Sequence, residues 1–171
     1  MRRSIYGILT ALCVAGFLAA LPTAVSSSSA TTIKITDECD PATFNQGIGP
    51  GTCVGDGDVT LSDFRAEFAA TGQVEDWEFD PARDDVHSGE AVRAENEGGE
   101  VHTFTKVAAF GGGVVPPLNL FAGPTRVECL TSTPVFPGGH SSPLVLPPGT
   151  HKFQCCIHPW MHTTITIEKN D

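Results

Sequence analysis

The 171-residue sequence predicts an all-β chain, a Greek-key β-sandwich with a short N-terminal helical extension. Three observations carry this reading. Period-two apolar segments recur from Trp77 to the C-terminus, Gly-Pro clusters separate them, and only one stretch shows helical periodicity. Many short strands at this spacing fit an antiparallel sandwich or small barrel.

In chain order, Met1-Arg2-Arg3 precedes a nearly uncharged run from Ile5 to Val25, followed by "SSSSA". A basic start, an apolar run and a small-residue exit describe a secretory signal peptide over residues 1–30, cleaved after Ser26 or Ala30. The alternative is a retained anchor, because the run approaches the roughly 20 residues that span a bilayer. Gly7, Gly16 and Pro22 inside the run favour cleavage, which places the mature chain in the periplasm or outside the cell, with no integral membrane association.

About 141 residues then remain, enough for one hydrophobic core. Losing Arg2 and Arg3 moves the formal charge from −10 to −12, which argues against nucleic acid and anionic membrane surfaces as partners. The exported part keeps Cys39, Cys53, Cys129, Cys155 and Cys156. In an oxidising compartment pairs become disulfides, so an odd count leaves one thiol that needs a purpose.

"TTIKIT" alternates like a short strand, and the turn-rich segment after it holds Cys39 and Cys53, whose bridge would close a loop of about 15 residues. Leu61, Phe64 and Phe68 share one face of a helix that Thr60 with Asp63 caps and Gly72 stops. Asp56, Gly57, Val59 and Asp63 match the later part of an EF-hand loop, but Thr52 and Val54 stand where carboxylates are needed, so a turn before the helix cap is the better reading. Strands follow at 77–79, 91–96, 101–107, 126–130, 144–146, 150–156 and 163–168. Asp76, Glu78, Asp80, Asp84 and Asp85 form a solvated acidic face, which would steer a basic partner. His87, His140 and His151 read as isolated surface histidines.

The chemistry concentrates in "FQCCIHPWMH", residues 153–162. Cys155, His158 and Met161 give the spacing Cys-x2-His-x2-Met on one loop between two strands. Thiolate, imidazole and thioether are ligands that copper prefers, and a His2Cys set with a weak axial Met is the composition of a blue-copper site. A second histidine must come from another strand, and His102, opening the strand after the Gly98-Gly99 turn, offers it.

"VRAENEGGEVHTFT" and "HKFQCCIHPWMHTTITI" together resemble the cupredoxin (blue copper protein) family, in its amicyanin and plastocyanin type with a short ligand loop. The resemblance assigns His102, Cys155, His158 and Met161 as ligands of one mononuclear type 1 copper, and implies that Asn96 helps to order the ligand loop. It covers residues 75–171 as the copper-binding domain and leaves 31–74, the disulfide loop and helix, as an N-terminal extension. Cys156 departs from the family pattern. Alternation points it away from Cys155, and only Cys155 has the required spacing to His158, so Cys156 pairs with Cys129 and the cysteine count closes. His162 stands as an exposed neighbour, a partner contact or a substitute ligand.

The resemblance implies an exported monomer that is not an enzyme and passes single electrons between protein donor and acceptor. In it His158 lies near the surface as the electron exit, and Phe104, Phe153 and Trp160 tune the site. Three other readings compete: a carrier or buffer binding Cu(I), a metal-free disulfide-stapled binding module, and structural zinc held through His158 and His162. Nucleophilic catalysis by Cys155 with His158 lacks an orienting Asn or Asp and an oxyanion-type glycine elbow.

Overall fold

The structure is a computed structural model and describes residues 30–169. The leader expected at residues 1–30 lies outside them, apart from Ala30. Among the described residues, no helix is long and apolar enough to cross a membrane.

Two four-stranded sheets form a β-sandwich. One has the order β2-β1-β4-β8, from β1 (Thr31–Thr36), β2 (Glu78–Asp80), β4 (Ala91–Asn96) and β8 (Leu144–Val145). The other has the order β3-β10-β9-β6, from β3 (Arg83–Val86), β6 (Thr105–Val107), β9 (Gly149–Gln154) and β10 (His162–Ile167). A two-stranded pair joins β5 (His102–Thr103) to β7 (Pro134–Val135). Alternation sends Ile33, Ile35, Val92 and Ala94 from one sheet, and Phe153, Ile165 and Ile167 from the other, into a shared core. Phe104 stacks on Phe153 with ring centroids 4.3 Å apart, filling the space beside the ligand strand.

Several elements differ from the sequence expectation, each for a local reason. The sandwich is not purely antiparallel, since β1 runs parallel to β4 and β10 parallel to β3. Parallel pairing needs a long crossover, which both helices and the strands between β1 and β4 supply. Within residues 31–74, β1 sits between β2 and β4, with Ile33 and Ile35 fully buried. Residues 126–130 form no strand but a 3-10 helix over Val127–Thr131, whose apolar Val127 and Leu130 are exposed while Cys129 is buried. β3 carries "RDDV", and only Val86 of it enters the core, so charge masked the strand.

The expected helix is α2 (Leu61–Thr71), with Asp63 N–H donating to the Thr60 side chain at 3.2 Å and Gly72 closing it in the left-handed region at φ 82°. A second short helix, α1 (Pro41–Gly47), is capped by the Asp40 carboxylate, which accepts from the backbone N–H of Ala42 and Thr43. Pro41 directly after Asp40 is the sequence signal for it. The Cys39–Cys53 and Cys129–Cys156 disulfides are both formed, and Cys155 is the free cysteine among the described residues.

Candidate metal centre

Three segments converge at one end of the sandwich. Cys155 follows β9 directly, His158 lies on the turn leading to β10, and His102 opens β5. Backbone bonds fix the loop: Cys155 N–H donates to Met161 O at 2.9 Å, and Met161 N–H to His158 O at 3.0 Å. The β5 segment is tied to the loop by Thr103, whose hydroxyl oxygen accepts from Cys156 N–H at 2.7 Å.

These contacts bring Cys155 Sγ within 3.7 Å of His102 Nδ1, and His102 Nδ1 within 3.4 Å of His158 Nδ1. All three donor atoms lie within 4.8 Å of one another, and all three residues are buried. For a first-row divalent ion, bonds of about 2.1 Å to nitrogen and 2.3 Å to sulfur spread at 120° separate the nitrogens by about 3.6 Å and sulfur from nitrogen by about 3.8 Å. The observed separations match what one ion would impose, so the residues fit a metal. Met161 is 1 % exposed and joins the same core cluster, bonded through its backbone to both Cys155 and His158.

The electrostatics suit a thiolate. Backbone N–H groups of Thr103, Ile157 and His158 point at Cys155 Sγ from 3.4, 3.4 and 3.5 Å. Burial alone would push the Cys155 thiol up, but the adjacent His102 and His158 imidazoles hold it well below its usual range. For His102, burial works against the charged form, yet the Asp37 and Cys155 anions raise its pKa to about 9.

Two acidic residues that sequence reasoning missed stand behind the histidines. Asp37 Oδ2 lies 2.8 Å from His102 Nε2, both side chains fully buried, and Glu100 Oε2 lies 3.5 Å from His158 Nε2. Asp37 also accepts from Glu100 N–H at 3.0 Å and Cys39 N–H at 3.3 Å, and Glu100 accepts from Trp77 Nε1 at 2.8 Å. Burial favours a neutral Asp37, but these donors outweigh it and lower the pKa. For Glu100 burial prevails and raises it. Asn96 orders a different segment from the one expected. Its amide donates to Glu100 O and Val135 O at 2.8 and 2.9 Å, shaping the turn that leads to His102.

His158 is not at the surface. It is 4 % exposed, with Phe64 of α2 at a ring distance of 6.3 Å and Trp160 at 5.5 Å. It forms part of the floor of a largely apolar cleft of about 300 Å³ between α2 and the 115–118 segment. The helix of the N-terminal segment therefore covers the face that the sequence left open. His162 is absent from the donor cluster; its ring stacks on Phe110 at 4.2 Å. With Cys156 in a disulfide as well, the zinc reading loses Cys156 and His162 as ligands. His151, expected at the surface, is 8 % exposed and lies 2.7 Å from the Pro147 carbonyl oxygen. A fully buried Cys155 sulfur offers a substrate no line of attack, which weighs against nucleophilic catalysis.

A pH dependence follows. In the metal-free protein the raised His102 pKa contributes stability that is complete below about pH 6.5 and lost as pH rises through about 9. A metal binding at Nδ1 must displace that proton, so apparent affinity for a divalent ion should rise about tenfold per pH unit from pH 7 to about 9 and then flatten. Competition against a chelator, corrected for the chelator's own protonation, checks this. A flat profile would show that His102 holds no proton there.

No protein-family model and no curated protein matches the chain. Among solved structures it is similar to a novel purple cupredoxin from Nitrosopumilus maritimus, at 14 % identity and TM-score 0.46 over 81 % of this chain and 99 % of that one. It is also similar to a Cu(I) form of an amicyanin variant, at 16 % identity and TM-score 0.39 over 53 % and 73 % of the two chains. A reduced Cu(I) amicyanin variant at pH 4 gives 17 % and 0.39 over 56 % and 77 %.

Proposed function

We propose that the chain is an exported type 1 copper protein that transfers single electrons between protein partners, of the short-loop kind seen in amicyanin and plastocyanin. The observation that carries this is the buried donor cluster of Cys155, His102 and His158, with Sγ to Nδ1 at 3.7 Å, Nδ1 to Nδ1 at 3.4 Å and all donor atoms within 4.8 Å of one another. Met161 would be the fourth ligand in this reading. Bound copper would supply a one-electron couple between its divalent and monovalent states; everything else is done by the chain. Three backbone N–H groups hold charge on the thiolate, and the disulfide at Cys156 and the Thr103 bond limit movement of the loop. The apolar cover from α2, Phe64 and Trp160 leaves His158 little exposed, and the cleft that His158 helps to line would let a partner approach it. Rigidity of this kind suits a carrier that changes charge without changing shape.

Export rests on the leader, and two disulfides fit an oxidising compartment. In this reading residues 75–171 form the copper-binding domain and 31–74 its N-terminal extension, which contributes one strand and the cover of the site. The protein works as a monomer.

Adding Cu(II) to the metal-free protein should give one equivalent of an intense visible thiolate-to-copper band. Cys155→Ser should abolish it, at least a hundredfold loss of absorbance. A colourless stoichiometric complex with Cu(I) alone would favour the carrier, and tight binding of zinc alone would overturn the copper reading.

A further inference from the structure

We propose that Asp37 and Glu100, the carboxylates against the outer nitrogens of His102 and His158, bias the bound copper toward its divalent state and so hold its potential down. This rests on the copper reading above and concerns two residues outside the ligand set. One of them, Asp37, comes from the N-terminal segment that the family resemblance does not cover.

Asp37 is held by construction. Its carboxylate is 2.8 Å from His102 Nε2, accepts two backbone N–H groups, and presses against Gly98, where any Cβ would collide with it. A carboxylate on Nε2 keeps the proton there and leaves the Nδ1 lone pair facing Cys155 and the metal. Glu100 is 5 % exposed, anchored by Trp77 Nε1 at 2.8 Å, and 3.5 Å from His158 Nε2. The thiolate and the Asp37 carboxylate thus place two anionic groups at one buried site, with the Glu100 carboxyl group beside them. In a low dielectric, fixed negative charge stabilises an ion of charge two more than an ion of charge one. The monovalent state would leave more of that charge uncompensated. A site built to hold Cu(I) for delivery has no use for it.

Outer partners of metal-bound histidines are worth roughly 10- to 100-fold in metal affinity. Asp37→Asn keeps one oxygen for the Nε2 proton and Glu100 N–H and removes the charge, together with the acceptor for Cys39 N–H. The ratio of Cu(II) to Cu(I) affinity should fall about tenfold or more, a rise in midpoint potential of about 59 mV per factor of ten. Glu100→Gln should shift it in the same direction, and Asp37→Glu should restore most of the wild-type value. Potentiometry following the visible band, with separate Cu(II) and Cu(I) affinities by chelator competition, reads this directly. If Asp37→Asn does not fold, Glu100→Gln carries the same test. A wild-type protein without the band defeats the copper reading itself. A variant with the band intact and an unchanged potential defeats this inference alone.

Discussion

Replacing Trp77 by alanine should lower the unfolding free energy of the metal-free protein by about 3–5 kcal/mol from the lost aromatic volume, with about 1–3 kcal/mol more from the carboxylate it strands. Trp77 is 1 % exposed. Its ring stacks on Phe44 at 5.9 Å and meets Phe64 edge-on at 4.9 Å, so it is the piece on which both helices rest. Few other positions join the sheet, α1, α2 and the site at once. Its Nε1 donates to Glu100 Oε2, which in turn faces His158 Nε2. Alanine leaves a cavity under α2 and removes the only hydrogen bond donated to the Glu100 carboxylate among the described residues. Trp77→Phe separates the two contributions, keeping most of the packing and losing the donor. Urea denaturation with tryptophan-independent detection should rank wild type above Trp77→Phe and Trp77→Phe above Trp77→Ala. A Phe variant as stable as wild type would show that the bond to Glu100 contributes nothing.

Much of this was legible because it is written locally. Cys-x2-His-x2-Met lies within seven residues, α2 carries its cap, stop and apolar face in one stretch, and strands such as Ala91–Asn96 and His162–Ile167 alternate openly. The cysteine pairing also yielded to counting, since alternation separates Cys155 from Cys156. What escaped depends on contacts between distant segments. Asp37 and Glu100 are acidic residues in connecting segments, 65 and two positions from His102, and nothing in their neighbourhoods marks a carboxylate as buried. The burial of His158 is decided by where α2 docks, which its own periodicity does not say. β1 looked peripheral because its partners, β2 and β4, come more than forty residues later. Arg126–Leu130 misled because alternating apolar residues suit a strand or an exposed 3-10 turn alike.

The second large effect is expected at the disulfide beside the ligand. Replacing both Cys129 and Cys156 by serine should cost about 3–4 kcal/mol, the chain-entropy value for a sequence separation of 27. The same change at Cys39 and Cys53, separated by 14, should cost slightly less, about 3 kcal/mol. The closer pair matters more for another reason. Cys156 is fully buried, its N–H donates to the Thr103 hydroxyl, and its carbonyl accepts from Val114 N–H at 2.6 Å. Through it the irregular 108–131 segment is fastened to the chain directly after β9, beside Cys155. Because backbone N–H groups of Thr103, Ile157 and His158 hold Cys155 Sγ independently of the disulfide, the serine pair should leave it in place, and the copper band should survive with its intensity nearly unchanged. Denaturation of the metal-free variant and the spectrum of its copper complex test both halves. Loss of the band in the serine pair, with the fold retained, would mean that Cys156 rather than Cys155 holds the metal. Retention of the band with a large loss of stability is the outcome that divides the two adjacent cysteines between ligand and crosslink.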